Sequence, residues 1–275
     1  MNIFLNNFIP MENIKHNHGL KIAGLEGTCY SGKTTVLNIL SKGNIPIINE
    51  HFCFEDKNNP DPRRLFPTVN FESAKDSIKF FIDLDKKRTE QVFRLAEKGH
   101  DTILMERSAL SPIVFQLLVP EFNPLVPDIF IWSIEEFYKA IERGDALMPQ
   151  SMAFIQPENE QEFIRRVKVR GEFRLEKRFM SSPEYFTKCR NWLKSMITKY
   201  YPESSRRVII NSYGEQEYSA SLLHEFILGA DYSSDPTAIF KEILEKEEEV
   251  YSNLKSLEYH LHNTERVGKL PVLVS

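Results

Sequence analysis

The chain has 275 residues, of which 41% are hydrophobic and 27% are charged, and its 35 Lys and Arg against 39 Asp and Glu give a net charge of −4. These proportions are typical of a globular protein and exclude general disorder and fibrous repeats. The small negative charge argues against a nucleic-acid partner, and three scattered cysteines favour a reducing, cytoplasmic location over a disulfide scaffold or zinc site. No apolar stretch approaches the ~20 residues that span a bilayer, so we expect no membrane segment.

The predicted elements alternate between short apolar strands and longer amphipathic helices. The strands are rich in Ile, Leu, Val or Phe, as buried parallel strands tend to be, and cover residues 20–25, 45–49, 102–105, 152–156 and 207–211. The helices cover residues 33–40, 73–98, 161–169, 183–199 and 215–228. This alternation predicts an α/β fold with a parallel five-stranded sheet that is covered on both faces.

Two proline-rich loops, at residues 58–68 and 119–127, interrupt this alternation, and a further helix is predicted over residues 236–262. That helix carries an apolar stripe broken at Glu247, which predicts either packing on the domain or a surface for a partner, including a second copy in a homodimer. The stripe consists of Phe240, Ile243, Val250, Leu254, Leu257 and Leu261. We expect an N-terminal extension over residues 1–19, one α/β domain over 20–230 and a C-terminal helical extension over 231–275.

The motif with the clearest chemistry is GTCYSGKT at residues 27–34, an unbroken match to GxxxxGK[ST] between a predicted strand and a predicted helix. In such a loop, backbone N–H groups and the positive end of the helix dipole surround phosphate oxygens. Lys33 can reach the β- and γ-phosphates, and the Thr34 hydroxyl can ligate Mg²⁺. The residues expected to contact the nucleotide are Gly27, Thr28, Cys29, Tyr30, Ser31, Gly32, Lys33, Thr34 and Thr35.

Bound nucleotide is expected to be ATP or GTP, and the lack of an NKxD-like tetrapeptide after a strand weighs against a GTPase. Charged residues follow the other predicted strands, where open α/β sheets bind their ligands. Glu50 and His51 follow the second strand, and Glu106 and Arg107 follow the third. A basic cluster lies on the helix after the fourth strand and consists of Arg165, Arg166, Lys168 and Arg170.

These motifs resemble those of the thymidylate kinase/deoxynucleoside kinase group of P-loop kinases, over roughly residues 21–228. LEGTCYSGKTT at 25–35 is similar to that group's EG…SGKTT loop, and ERSALSPIVFQ at 106–116 resembles its ERS and DRY..S..AYQ motifs. MAFIQPENEQEFIRRVKVRGE at 152–172 resembles a strand followed by PE…R..R.RGE, which leads into a mobile lid. The resemblance implies a three-layer P-loop kinase fold with a helical lid and, in this chain, an extra C-terminal helix.

The resemblance also implies roles for four residues of this chain. Glu106 would help to hold Mg²⁺, and Arg107 would orient the phosphoryl acceptor. Arg166 and Arg170, which share one helical face, would close over the transferring phosphoryl group. The implied cofactors are ATP and Mg²⁺, and the implied partner is a small-molecule nucleoside or nucleotide.

The identity of the acceptor is left open by the sequence. Glu50 fits the position of the general base of nucleoside kinases, although His51 stands where they have proline, and a free hydroxyl acceptor benefits from such a carboxylate. A monophosphate acceptor needs cations instead, which residues 63–64 and 86–88 would supply. Phe80 and Phe81 are candidates either for base stacking or for the core.

The leading hypothesis is therefore ATP-dependent phosphoryl transfer to the 5′-hydroxyl of a (deoxy)nucleoside. One alternative is a (deoxy)nucleoside monophosphate kinase of the thymidylate-kinase type. The other is a nucleotide-binding regulator without catalysis. Tyr30 stands where the group has a small glycine in the loop, so its side chain could narrow or reshape the cleft.

Overall fold

A computed structural model of the protein describes residues 19–63, 71–116, 127–170, 183–212 and 214–267. Its five strands form one all-parallel sheet with the order β2-β3-β1-β4-β5. The strands are β1 (Lys21–Glu26), β2 (Ile47–Ile48), β3 (Thr102–Glu106), β4 (Ser151–Pro157) and β5 (Arg206–Asn211). The predicted α/β fold with a five-stranded parallel sheet is confirmed. Only β2 is markedly shorter than predicted, because it is an edge strand whose ladder with β3 is limited to two residue pairs.

The described residues form eight α-helices. They are α1 (Lys33–Leu40), α2 (Phe71–Glu97), α3 (Leu110–Gln116), α4 (Pro127–Arg143), α5 (Glu160–Arg170), α6 (Pro183–Tyr200), α7 (Gln216–Gly229) and α8 (Pro236–Val267). Six of them match predicted helices within a few residues, whereas α3 and α4 were not predicted. The second proline-rich loop was expected to end at Pro127, but proline is favoured at the first position of a helix and begins α4 here.

Helices cover both faces of the sheet and so form three layers with it. On one face, α1 and α7 pack through a cluster that includes Val36, Leu223 and Leu25 of β1. On the other face, α2, α3, α4 and α6 form the largest apolar cluster, which includes Phe137 of α4 and Phe154 of β4. Burying such side chains contributes about 1.5–3 kcal/mol each before entropy costs, so these two clusters hold the layers together.

The first turns of α8 belong to the larger of these clusters. Ile239, Phe240 and Ile243 are buried there, and the helix lies against α4 and α6. Val250, further along the helix, is 52% exposed. The side chains of the later stripe residues, Leu254, Leu257 and Leu261, lie outside the described part of the structure. The described part of the apolar stripe therefore packs largely on the domain.

All five strands run in the same direction, so their carboxyl ends lie along one edge of the sheet. In the central ladders, Leu25 pairs with Glu106 of β3, and Glu26 pairs with Phe154 of β4. The chain segments that follow Glu26, Ile48, Glu106 and Asn211 thus leave the sheet side by side. Within the described ranges, no helix combines the length and the apolar character needed to cross a membrane.

Candidate active site

The phosphate-binding loop joins β1 to α1, and its two glycines are required by close approaches of other chain segments. Gly27 has a φ of +149°, and a Cβ there would collide with the carbonyl oxygen of Ile155 in β4. Gly32 has a φ of +95°, and a Cβ there would collide with the side-chain amide of Asn211 at the end of β5. The loop is therefore packed tightly against β4 and β5, in a backbone conformation that L-residues rarely adopt.

Lys33 is buried in this loop, and its ammonium binds the loop's own carbonyl groups. Nζ donates to the Gly27 oxygen at 2.5 Å and to the Thr28 oxygen at 2.9 Å. Burial, together with the nearby charge of Arg107, lowers the pKa of Lys33 to about 8. The ammonium of Lys33 is buried, and its hydrogen-bond partners in the described part of the chain are neutral carbonyl groups. An anion beside it would stabilise its charge, so its surroundings fit a phosphate ligand.

Two hydroxyl groups of the loop also fit a polar ligand. Thr28 Oγ1 and Ser31 Oγ are buried and have no hydrogen-bond partner among the described residues. A buried polar atom without a partner costs free energy, so such atoms are commonly satisfied by a ligand or by water. Thr34 is exposed and Thr35 half-buried at the start of α1.

Arg107 and Glu50 meet at the ends of β3 and β2. Arg107 Nε donates to Glu50 Oε2 at 2.9 Å, and Nη1 donates to Ser111 Oγ at 3.1 Å. The same guanidinium reaches the phosphate-binding loop, since Nη1 lies 3.4 Å from the Gly27 oxygen and Nη2 lies 3.7 Å from Cys29 Sγ. The structure thus brings together the predicted acceptor residues Glu50 and Arg107 and the predicted nucleotide loop.

The electrostatics of Glu50 keep it ionised. Burial disfavours its charged form, but the charge and the hydrogen bond of Arg107 outweigh burial, with smaller help from Lys33, and the pKa of Glu50 lies below its ordinary value. A carboxylate in this state is unprotonated at neutral pH and can accept a hydrogen bond or a proton. Its place beside Arg107 and the loop is consistent with the prediction that Glu50 is a general base.

The backbone of Arg107 is strained, and a buried carboxylate holds the turn that follows it. Arg107 has a φ of +65°, an uncommon conformation for a residue other than glycine, and its N–H donates to the Leu25 oxygen at 2.9 Å. Glu26 accepts the backbone N–H of Ser108 at 2.6 Å and the hydroxyls of Ser108 and Ser111 at 2.7 Å each. Such strain persists where the surroundings determine it, which is common at functional sites.

Glu106 is buried beside these groups. Burial raises its pKa despite the opposing charges of Lys33 and Arg107. A desolvated carboxyl group of this kind gains from a divalent cation, so Glu106 fits the expected role in holding Mg²⁺. In the described ranges, no group of three or more His, Cys, Asp or Glu side chains could hold a metal ion. A cation at this site would therefore be shared between Glu106, the Thr34 hydroxyl, water and phosphate oxygens, as is usual for Mg²⁺.

Arg166 of α5 contacts the phosphate-binding loop at Ser31, whereas Arg107 contacts it at Gly27 and Cys29. Its Nη1 donates to the Ser31 oxygen at 3.1 Å and its Nη2 to the Asn211 oxygen at 2.6 Å, while Nε pairs with Glu162 at 2.7 Å. Asn211 Nδ2 donates to the same Ser31 oxygen at 2.9 Å. The bonds of Arg166 use three of its five N–H groups and hold its guanidinium beside the phosphate-binding loop. The side chain of Arg170 lies outside the described residues.

Two other predictions have a clear structural outcome. Phe80 and Phe81 are buried in the largest apolar cluster, which accounts for both as core residues. The aromatic ring at the surface here is Phe52, which is 38% exposed and packs on both of them. Phe52 follows Glu50 by two positions, and this closeness in the sequence could have indicated that Phe52 lies near the candidate acceptor site.

Arg88 of α2 is the main residue of this region whose placement sequence reasoning missed. It was grouped with the lysines at 86 and 87 as a cation for an acceptor phosphate, but its side chain is completely buried. It contacts main-chain oxygens where β2 and β3 end. A signal was present, because Arg88 follows the buried Phe81 and Leu84 of the same helix at spacings of seven and four residues.

Comparison with solved structures was consistent with this architecture. The chain is similar to a deoxyadenosine kinase from M. mycoides with bound dATP, with a TM-score of 0.54 and 16% identity over 74% of this chain and 97% of that one. It is also similar to a thymidylate kinase from Candida albicans, with a TM-score of 0.49 and 14% identity over 76% of this chain and 91% of that one. No protein-family model and no curated protein matches the sequence.

The first of these likenesses shows that the chain has a P-loop kinase fold. This neighbour is a deoxyadenosine kinase, so the kinase fold expected from the sequence motifs is confirmed.

Proposed function

We propose that the protein is a P-loop kinase that transfers the γ-phosphoryl group of ATP to the 5′-hydroxyl of a (deoxy)nucleoside. The observation that carries this proposal is the ionised Glu50, held 2.9 Å from Arg107 Nε beside the phosphate-binding loop. A hydroxyl acceptor must lose a proton, and a fixed carboxylate at this place can take it. The likeness to a deoxyadenosine kinase supports the proposal through the fold alone.

The roles of the chain's own residues follow from their positions. Lys33 exchanges its two loop carbonyls for phosphate oxygens, and the hydroxyls of Thr28 and Ser31 gain partners in the same step. Arg107 places positive charge between Glu50 and the loop, where charge develops on the transferring group. Bound Mg²⁺, held by Thr34 and Glu106, would neutralise phosphate charge. Phosphoryl transfer needs little covalent chemistry from a protein, so positioning and charge of this kind suffice.

Of the described cations that would suit a monophosphate acceptor, Lys87 is exposed, with its Nζ 3.4 Å from the Phe54 oxygen, and the others are engaged elsewhere. Arg63 pairs with Asp61 at 2.6 Å and with Asp83 at 2.8 Å. Lys86 pairs with Asp145 at 3.1 Å, and Arg88 is buried against main-chain oxygens. Arg64 lies outside the described residues. This arrangement favours a free hydroxyl over a phosphate as the acceptor.

The test is ATP turnover across a panel of nucleosides and nucleoside monophosphates, with wild type, Glu50→Gln and an exposed control, Glu142→Gln. We expect stimulation by free nucleosides, a loss of about 10²–10⁴-fold in Glu50→Gln with ATP binding retained, and no change in Glu142→Gln. Stimulation by monophosphates alone would support a thymidylate-kinase type of enzyme instead. Intact ATP binding without stimulation by any acceptor would support a non-catalytic regulator.

A further inference from the structure

We infer that Arg88 is a positioning residue of the acceptor site, which holds the ends of β2 and β3 in the arrangement that brings Glu50 to Arg107. The inference rests on the proposed phosphoryl transfer. It concerns a side chain of helix α2 that faces the interior and contacts neither Glu50 nor Arg107 through their side chains.

Three of the donors of Arg88 bind main-chain oxygens of the two strand ends. Nε donates to the carbonyl of Asn49, the residue directly before Glu50, at 3.2 Å. Nη2 donates to the carbonyls of Glu106 at 2.7 Å and Arg107 at 2.8 Å. The regular ladder between β2 and β3 ends one residue earlier, at the pair Ile48–Met105. The guanidinium therefore bridges the two segments at the point where strand pairing stops.

The remaining two donors of Arg88 are used on the other side of the group. Nη1 donates to Asp85 Oδ1 at 2.5 Å and lies 3.0 Å from His51 Nε2. Four of the five N–H groups of the guanidinium thus have an oxygen acceptor, and the fifth lies beside His51 Nε2, which accepts in one of its two neutral tautomers. Asp85 offsets the charge of Arg88. Its hydrogen bond also fixes the orientation of the guanidinium that contacts the three carbonyls.

The positions of the reacting side chains depend on these backbone segments. Arg107 has a φ of +65°, and its carbonyl is one of the groups that Arg88 holds. Without that hold, the backbone at Arg107 could relax and move its guanidinium away from Glu50. Displacements of about 1 Å in a catalytic arrangement can reduce turnover about 10²-fold. Arg88 thus acts through Glu50 and Arg107 without touching the substrate.

The test compares Arg88→Met and Arg88→Lys with a matched control, Arg206→Met. Arg206 also donates to carbonyl groups, those of Thr198 and Tyr201, but it begins β5 and so lies at the opposite edge of the sheet. We expect kcat with a nucleoside acceptor to fall about 100-fold in Arg88→Met. KM for ATP should change much less than kcat, because Arg88 itself makes no contact with the phosphate-binding loop. Arg88→Lys should recover part of the loss, and Arg206→Met should lose thermal stability without losing kcat.

A second readout is independent of activity. Hydrogen exchange of the amides at Arg107 and Ser108, which bond Leu25 and Glu26, should be faster in Arg88→Met and unchanged in Arg206→Met. If wild type shows no acceptor-dependent turnover, the proposed function fails, and exchange at these amides alone decides whether Arg88 holds the strand ends. Wild-type kinetics and wild-type exchange in a folded Arg88→Met protein would overturn the inference.

If Arg88→Met does not fold, because Asp85 is left as an unpaired buried charge, the double variant Asp85→Leu/Arg88→Met removes both charges. Replacing a buried ion pair with apolar side chains is often tolerated. The double variant should then show the same fall in kcat and the same faster exchange, and wild-type values of both in it would also overturn the inference.

Discussion

At the scale of single residues, the buried group around His51 makes stability depend on pH. His51 is enclosed by Asp85 and Arg88, and its ring packs edge-on against Phe81. Burial lowers the pKa of His51, with Arg88 acting in the same direction and Asp85 opposing it. Nε2 lies 3.0 Å from Arg88 Nη1 and 3.2 Å from Asp85 Oδ1, so the neutral ring accepts from Arg88 in one tautomer and donates to Asp85 in the other.

We predict that the free energy of unfolding falls as the pH drops below about 6.5, the ordinary pKa of histidine in the unfolded chain. In that range the unfolded chain binds a proton that the folded protein does not, so acid favours unfolding by at most about 1.4 kcal/mol per pH unit. The fall ends once the pH has passed the lowered pKa of folded His51. Urea unfolding at several pH values between 5 and 8 measures this slope.

His51→Gln should remove the slope, while the exposed control His224→Gln should keep it. Asp85 and Glu50, whose pKa values are lowered, add a separate loss of stability below about pH 4, where the unfolded carboxyl groups become protonated first. An unchanged slope between pH 5 and 6.5 in His51→Gln would show that His51 is not the group responsible.

Residue placement was predictable where the sequence pattern is local. The phosphate-binding loop needs only neighbouring residues, so its glycines and Lys33 were identified from spacing alone. The pairing of Glu50 with Arg107 depends on two strands being adjacent, and the sequence indicated only that both residues follow strands. The buried position of Arg88 was missed because its charge was taken to indicate an exposed side chain, whereas Asp85 and the carbonyls at the strand ends stabilise it in the interior.

At the scale of elements, α8 raises the question of where the folding unit ends. Residues 231–275 were expected to form a C-terminal helical extension, yet Ile239, Phe240 and Ile243 are buried in the largest cluster of the domain. We propose that the folding unit includes the first turns of α8. The polar break in the predicted stripe, Glu247, is also partly buried, and burial raises its pKa against the opposing charge of Lys199.

Phe240→Ala should lower the free energy of unfolding by about 3–5 kcal/mol, since it removes a fully buried ring and leaves a cavity. Val250→Ala, on the same helix but 52% exposed, should change it by less than about 0.5 kcal/mol. Both values come from urea unfolding of the full chain. Equal, small effects of the two substitutions would mean that α8 is an appendage to an independently stable domain.

Elements were predicted well where polar and apolar residues alternate with a clear helical period. Helix α4 was not predicted because its start lies among prolines. The apolar residues at 129–132 also obscured the helical spacing of Ile134, Phe137 and Ile141 on its buried face. Helix α3 is short, so it offers too few turns for a period to be recognised. Strand β2 was overestimated because the extent of an edge strand depends on its single neighbour.

At the scale of the whole molecule, nucleotide binding should be visible as stabilisation. A ligand that binds the folded chain alone, at 100 times its Kd, adds about 2.7 kcal/mol, which raises Tm by several degrees for a domain of this size. We predict such a rise with ATP and Mg²⁺, measured by differential scanning calorimetry. Lys33→Ala should abolish it, because this substitution removes the charge that the loop presents to phosphate. A rise retained in full by Lys33→Ala would contradict the assignment of the phosphate-binding loop.

The overall architecture was predictable as a class, whereas the order of strands was not. Short apolar strands of similar composition carry little information about which of them are neighbours. The order β2-β3-β1-β4-β5 places the segments with Glu50 and Arg107 on one side of β1, and those with Arg166 and Asn211 on the other. The two sides of the candidate site therefore come from different parts of the chain and meet at the phosphate-binding loop.

The central position of β1 has a consequence for the synthesis of the chain. Lys21 pairs with Thr102 and Ala23 pairs with Ser151, so β1 is made well before both of its neighbours in the sheet. At ordinary rates of translation, the apolar strand β1 remains unpaired with β4 for on the order of ten seconds. The sheet cannot close before β4 has left the ribosome, so folding is delayed until the first four strands have been made. We therefore expect the nascent chain to depend on chaperones that shield β1 during this interval.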